Sequence, residues 1–189
     1  MITPQQFKQS WESVADDHLV AFPADSLSDV HLSPEVRTFL IDAGLPTDAA
    51  PFLNFGPPKS GSLARASVVW HQPSELDRYR IIGGNGSGDP VCLDEEAGGQ
   101  VVYLNHDNRF ERVLMASSVP VLAECLLQLR DAIASAGGNA ELIGPAQFEA
   151  LVARFRAIDP LPSGDGGYWQ RELQSFQKPP SKAWWRFWK

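Results

Sequence analysis

The stretch IIGGNGSGDPVCLD, from Ile81 to Asp94, decides between two folds for this chain. Its glycines fit either a phosphate-binding loop, which joins a strand to the start of a helix, or a turn between two strands. Gly88 is followed by Asp89, Pro90 and a second extended run, so the helix that would supply a dipole and free amides is missing. No Gly-Lys-Ser/Thr triplet occurs either. The stretch therefore predicts a tight β-hairpin.

Short extended runs on both sides of this hairpin predict a strand meander over about residues 66–117. They are rich in Val, Ile, Tyr and Phe, and Gly, Asp, Asn and Pro separate them. Because the turns are short, neighbouring strands should pair antiparallel. Residues 101–104 are apolar at successive positions, which indicates a strand that is covered on both faces or central in the sheet. The runs are ASVVWHQ (66–72), RYRIIGG (78–84), DPVCLD (89–94), QVVYLNHD (100–107) and RFERVLMASS (109–118), and the turn-rich connector before them is PFLNFGPPKSGS (51–62).

Apolar residues at helical spacing predict helices both before and after the strand meander. Thr3 and Ser33 each precede a proline, which is the arrangement of an N-cap followed by the first helical residue. Gly44 and Pro46 predict the end of the second of these helices. Capping and breaker residues delimit the later helices in the same way. Those later helices are expected from Ser118 to the glycines at 137 and 138, from Pro145 to residue 158, and over YWQRELQSF (168–176).

The order of helices, strand meander and helices predicts an α+β fold. We expect a single domain over residues 1–177, in which a central, mainly antiparallel sheet is flanked by N- and C-terminal helices. A length of 189 residues suits one domain with a substantial core. Residues 178–189 are expected to form a separate aromatic and basic C-terminal tail.

Charge and hydropathy narrow the class of protein. The net charge is −7, which disfavours direct binding to nucleic acid and favours a basic protein partner. No apolar run approaches the ~18 residues of a membrane-spanning helix. The N-terminus lacks the order of basic, apolar and small residues that marks a secretion signal. The sequence therefore predicts a cytoplasmic protein.

Residues capable of catalysis or metal binding form no recognised pattern. The histidines lack metal-ligand spacing, the acidic residues near the glycines lack EF-hand spacing, and no Gly-x-Ser-x-Gly motif occurs. Cys92 and Cys125 are expected to be buried thiols, although either could act as a nucleophile beside a distant histidine. We therefore assign no catalytic residue, cofactor or metal ligand. The histidines are His18, His31, His71 and His106, of which His106 is expected at the surface of a turn.

Three segments, taken in order, resemble the SUKH superfamily and specifically its fourth immunity-protein group. The first segment is a helix that ends in Gly-Leu-Pro and is followed by an aromatic-apolar stretch. The second consists of a Gly-Asp turn, a strand, an acidic glycine turn and a Val-Tyr strand. In the third segment, paired serines precede a helix. They are FLIDAGLPTDAAPFLNFG (39–56), YRIIGGNGSGDPVCLDEEAGGQVVYLNHD (79–107) and VLMASSVPVLAECLLQL (113–129), with similarity in IDPLP (158–162) and the last helix. The resemblance covers about residues 35–176.

The resemblance implies a single α+β domain and a non-enzymatic role as an immunity protein of a bacterial polymorphic toxin system. Such proteins bind a cognate toxin, often a nuclease or a nucleic-acid-modifying enzyme, and block it by direct contact. The negative charge would suit a basic nuclease surface. Two alternatives remain: a regulatory scaffold of the same superfamily that binds a host protein, and a cysteine-dependent enzyme.

Two acidic groups and one aromatic group are candidate partner-binding residues. The acidic residues of the meander turns are expected to be solvated and to steer a basic partner. The tail tryptophans stand beside basic residues and could be interface anchors, oligomer contacts or part of the core. The meander group is Asp89, Asp94, Glu95 and Glu96; the N-terminal group is Asp16 and Asp17, with Asp25 and Asp29 nearby; the aromatic group is Trp184, Trp185 and Trp188.

Overall fold

The computed structural model describes residues 1–12 and 18–176. Two antiparallel sheets organise the chain. A small sheet pairs β1 (Leu19–Val20) with β2 (Leu45–Pro46), and the central sheet has six strands in sequential order, each antiparallel to the next. The predicted antiparallel meander is therefore confirmed. The central strands are β3 (Asp48–Ala49), β4 (Leu53–Phe55), β5 (Tyr79–Gly84), β6 (Pro90–Asp94), β7 (Gln100–Asn105) and β8 (Glu111–Ala116).

Helices precede and follow the central sheet, as the α+β prediction requires. The Thr3 side chain accepts a hydrogen bond from the amide of Gln6 at the start of the first helix, and Ser33 caps the second through Val36. Within the described part of the chain, no helix combines the length and hydrophobicity needed to cross a membrane. The helices are α1 (Pro4–Trp11), α2 (Pro34–Asp42), α3 (Ala66–Val69), α4 (Val119–Ser135), α5 (Pro145–Ile158), α6 (Pro160–Ser163) and α7 (Tyr168–Phe176).

The core lies mainly between one face of the sheet and the helices. Val91, Leu93 and Val101 of the central strands join the same cluster as the apolar stripe of α4. On the opposite face a smaller cluster forms around Cys92 and Val102. Strand β7 contributes buried side chains to both clusters, so the prediction of a strand covered on both faces is confirmed.

Two long-range hydrogen bonds connect the C-terminal helical segment to β8 and to Ser117, the residue that follows it. The indole of Trp169 donates to the carbonyl of Met115 at 2.8 Å. The buried carboxylate of Asp159 accepts from the amide of Ser117 at 2.6 Å. Trp169 also packs edge-on against Phe155, with ring centroids 4.9 Å apart. These contacts fix α5 and α7 on the same side of the sheet as α4.

The prediction of a strand over residues 66–72 is wrong. After Arg65 forms an isolated bridge to Arg80, the chain turns into the short helix α3, which buries Ala66 and Ser67. The Ser67 hydroxyl donates to Asp77, which closes the segment on itself. Local β-propensity is thus overridden by burial of the first turn of α3 against the sheet. The sheet also begins earlier than predicted, because the expected connector contributes β4.

Candidate functional site

The loop between β5 and β6 is closed by Asn85 and Asp89. The Asn85 side-chain oxygen accepts hydrogen bonds from the amides of Ser87 and Asp89, at 3.0 and 2.9 Å. The amide of Gly88 donates to the Asn85 carbonyl, and Gly88 has a φ of +85°, which a residue without Cβ adopts readily. Three loop amides are therefore used within the turn and are not free for a phosphate. The hairpin prediction is confirmed.

Asp89 is buried and holds His106 from the next turn of the meander. Asp89 Oδ1 accepts a hydrogen bond from the backbone amide of His106 at 2.9 Å and lies 2.7 Å from its Nδ1. Burial alone would raise the pKa of the Asp89 carboxyl. Hydrogen bonds from Asn85 and from His106 outweigh that effect, so the pKa is lowered. Asp89 therefore remains charged and fixes the position of the His106 ring.

The ring of His106 stacks on Trp70, and Phe110 meets Trp70 edge-on. The ring centroids are 5.5 Å apart in the first pair and 5.3 Å apart in the second. Trp70 follows directly after α3, where the side chains of Val68 and Val69 are 67% and 51% exposed. An aromatic cluster bordered by exposed aliphatic groups therefore lies at this end of the sheet.

Phe52 lies against the other side of the hairpin loop and is 80% exposed. A Cβ built on Gly86 would lie 2.8 Å from the Cβ of Phe52, so the loop backbone passes directly beneath this aromatic residue. A cavity of about 330 Å³ separates them from α7 and is lined in part by Tyr168 and Glu172. Burial raises the pKa of the Glu172 carboxyl.

These side chains flank the β5–β6 loop, with Phe52 beside Gly86 and His106 beside Gly88, and we call them together the hairpin surface. Within residues 1–12 and 18–176, every non-glycine residue with positive φ belongs to it or adjoins it. Such backbone conformations are unfavourable for residues with a Cβ, and they concentrate at functional sites. Aromatic side chains such as the exposed Phe52 and the half-buried Trp70 are also enriched at protein interfaces. The hairpin surface consists of Phe52, Val68, Val69, Trp70, Gly86 and His106; the positive-φ residues are Phe52, His71, Arg109 and Phe110.

The expectation that the meander carboxylates are solvated does not hold for Asp89 and Asp94. Asp94 is fully buried, and Arg78 Nε and Nη2 lie 2.7 and 2.6 Å from its Oδ1. Arg112 Nε donates to Oδ2 at 2.9 Å. The sequence places both carboxylates beside turns, but the fold brings hydrogen-bond donors from neighbouring strands against them, which compensates their desolvation.

Glu95 and Glu96 lie next to Asp94 but differ in exposure. Glu95 accepts from Arg80 Nε at 2.8 Å and from the amide of His31 at 2.7 Å, and its side chain is 10% exposed. The side chain of Glu96 is 67% exposed and pairs with Arg78. Asp89 and Asp94 lie at opposite ends of β6, which are roughly 17 Å apart at the usual rise per residue. The structure thus divides the predicted meander group between two ends of the sheet.

Of the remaining predicted partner-binding residues, the structure describes only Asp25 and Asp29. Asp25 and Asp29 flank a turn before α2, where Asp29 lies 3.3 Å from Arg80 and a hydrogen bond from Ser62 lowers the pKa of its carboxyl. The other candidates lie outside the described residues, and their roles stay predictions. They are Asp16 and Asp17 of the N-terminal group and Trp184, Trp185 and Trp188 of the tail.

Both cysteines are free and buried, as predicted. Burial raises the pKa of the Cys92 thiol and of the Cys125 thiol, which disfavours the nucleophilic thiolate. Cys92 contacts the carbonyl of Pro90, while His106 pairs with Asp89 and Asp107. In residues 1–12 and 18–176, no group of three or more His, Cys, Asp or Glu side chains is arranged to hold a metal ion.

Sequence reasoning missed Phe52, Val68 and Trp70 as surface residues. Each was assigned to a connector or to a strand whose apolar side chains would be buried. Pro73 follows the predicted strand over residues 66–72 and does not interrupt it, so the sequence held no breaker that argued against the strand. The exposure of Phe52 had no signal in the sequence either.

One of the comparisons with known proteins gives a match. The family model described as SUKH-4 immunity protein matches residues 6–175. No match was found among the curated proteins or among the solved structures. The matched segment contains both sheets, the hairpin surface and nearly all of the last helix. The chain therefore belongs to the SUKH-4 immunity protein family.

Proposed function

We propose that this protein neutralises a cognate bacterial toxin by binding it directly and occluding its working surface. The family match over residues 6–175 carries this proposal, because an immunity role requires a protein partner. We further propose that the toxin is a basic nuclease or another nucleic-acid-modifying enzyme. The net charge of −7 supports this, since complementary charge accelerates encounter between partners.

The hairpin surface is the contact region that we propose. Phe52, Val68 and Val69 expose apolar area that the described part of the chain does not cover, and Trp70 and His106 provide a rigid aromatic centre. Stable interfaces bury about 800 Å² per partner and depend on a few aromatic anchors. In this arrangement Asp89 acts from inside, as a positioning residue for His106.

Of the acidic residues of the meander group, we propose Glu96 as the one that contributes to association with a basic partner. Glu96 is exposed and available to steer a basic partner. Asp94 is buried and pairs with Arg78, and the largely buried carboxylate of Glu95 pairs with Arg80. Replacing Glu96 by Lys should slow association at low salt and have little effect at high salt, because salt screens exposed charges. Glu149 is also exposed and lies on α5, so Glu149→Lys provides the matched control.

The experiment is co-expression of this protein with a toxin encoded beside it, scored by bacterial survival and by pull-down of the complex. Phe52→Ala and Val68→Glu should abolish protection while leaving the unfolding midpoint close to wild type, since both side chains are largely exposed. Leu161→Ala and Leu142→Glu are matched controls, because these leucines are 71% and 65% exposed elsewhere.

Full protection by both hairpin-surface variants would exclude this surface as the contact. Failure of the wild-type protein to protect against or bind the toxin would instead argue against that toxin being the partner. Stoichiometric capture of a host protein that requires Phe52 would favour the regulatory scaffold. Retained protection after Cys92→Ala and Cys125→Ala would exclude the cysteine-dependent enzyme.

A further inference from the structure

A groove of about 660 Å³ opens between the segment that joins β3 to β4, the end of α4 and the end of α7. Its wall is mainly apolar, and Asp48 lies among its polar members. Its volume falls within the range of sites that accommodate sizeable ligands. We call it the C-terminal groove. Its lining residues include Ala49, Pro51, Phe52, Ile133, Ala140 and Phe176, so the C-terminal groove shares Phe52 with the hairpin surface.

The C-terminal groove includes Phe176, which directly precedes the aromatic and basic segment of residues 177–189. Phe176 is the last described residue and is part of the groove wall, so residue 177 is bonded directly to that wall. Residues 177–189 lie outside the described residues, and they also lie beyond the family match, which ends at residue 175. Residues 177–189 thus begin at the groove wall and are specific to this chain relative to the matched family segment.

Residues 177–189 are complementary to residues 1–176 in charge and contain a cluster of aromatic side chains. The segment carries four of the sixteen basic residues and none of the 23 acidic residues, so residues 1–176 hold a net charge of −11. Within residues 184–188 the segment also contains three tryptophans and one phenylalanine. A mainly apolar groove on an acidic domain matches a segment of aromatic and basic side chains.

We propose that the C-terminal groove binds the aromatic side chains of residues 184–188 of the same chain. Seven residues, 177–183, separate Phe176 from Trp184, and an extended chain of that length spans up to about 25 Å. That reach is sufficient, because the linker starts at the groove wall. A short tether also gives a high effective concentration, so the contact needs little intrinsic affinity. Asp48 at the groove supplies a carboxylate for the basic side chains.

The test uses the 189-residue chain and requires no toxin. None of its variants changes a residue of the hairpin surface, so its failure can be distinguished from failure of the proposed function. Trypsin cleavage after Lys182 and Arg186 is followed by mass spectrometry under native conditions. Ala140→Trp fills the groove and should increase cleavage at both bonds by about tenfold or more, because proteolysis follows the exposed population. Ala134→Trp places the same side chain at an exposed position of α4 outside the groove wall, and it should leave the rate unchanged.

A charge variant tests the complementary part of the proposal. Asp48→Asn should increase cleavage about twofold to fivefold at low salt and not at high salt, as expected for an exposed ion pair. Asp42→Asn, at the end of α2, is the control and should have no effect. If Ala140→Trp does not fold, Ala49→Trp fills the groove from the opposite wall.

Three results would overturn the proposal. Equal cleavage rates in the wild-type protein and in a folded groove-filling variant would show that the groove does not bind the segment. Equal acceleration by Ala134→Trp would show that the effect does not arise in the groove. Protection that disappears on dilution would assign the contact to a second copy of the chain instead of the same chain.

Discussion

His106 Nδ1 lies 2.7 Å from Asp89 Oδ1, although the two residues are 17 positions apart in the sequence. The same carboxylate oxygen accepts a hydrogen bond from the backbone amide of His106, and the imidazole ring of His106 stacks on Trp70. One buried side chain thus positions a turn, a ring and the aromatic cluster that the ring contacts. Loss of this carboxylate has consequences for both stability and the hairpin surface.

Asp89→Asn should lower the free energy of unfolding by about 1–3 kcal/mol near neutral pH, because buried donors lose a charged acceptor. The folded-state pKa of Asp89 lies below the ordinary value of 3.8, so its contribution is present above that value and is lost as pH falls through the folded pKa. Urea denaturation as a function of pH measures this. The difference between wild type and variant should shrink in acid.

Asp107→Asn is the control for this prediction, since Asp107 contacts the other nitrogen of His106 from an 86% exposed position. It should change stability little. A difference between wild type and Asp89→Asn that is equally large in acid and at neutral pH would contradict the electrostatic explanation.

Asp94 and Glu96 both pair with Arg78, but only Asp94 is buried. Asp94→Ala should destabilise the protein by about 3 kcal/mol, because it leaves Arg78 and Arg112 without their shared carboxylate. Glu96→Ala should cost less than about 1 kcal/mol, as is usual for exposed ion pairs. Chemical denaturation midpoints compare the two variants, and equal losses would contradict the role of burial.

The thiols of Cys92 and Cys125 should resist modification in the folded protein. Burial removes access and raises both pKa values, so little thiolate is available to react. Ellman's reagent should detect almost no thiol at neutral pH and two thiols after addition of denaturant. Fast labelling of one thiol without denaturant would show that its position opens locally and would revive the cysteine-dependent alternative.

Gly83 and Gly56 provide a matched test of close packing at the β4–β5 pair. A Cβ on Gly83 would lie 2.0 Å from the carbonyl oxygen of Asn54, whereas a Cβ on Gly56 would have no neighbour within 4 Å. Gly83→Ala should therefore cost about 2 kcal/mol or more through backbone displacement. Gly56→Ala should change stability by less than about 0.5 kcal/mol. Thermal unfolding followed by circular dichroism distinguishes these outcomes, and similar midpoints would refute the packing argument.

Features that depend on neighbouring residues were predictable from the sequence. The caps at Thr3 and Ser33, the glycine ends of the helices and the β5–β6 hairpin each follow from interactions within a few positions. The antiparallel order of the meander follows from its short turns, and the family resemblance follows from the order of local motifs. These signals sufficed for the α+β fold.

The tertiary structure alone decided which polar groups are buried and which apolar groups are exposed. Asp94 resembles a solvated turn residue in the sequence, and it is buried because Arg78 and Arg112 approach from 16 and 18 positions away. Trp70 resembles part of a strand, yet it follows a helix whose first turn packs on the sheet. The physical reason is that desolvation of a side chain depends on partners distant in the chain, which local patterns do not specify.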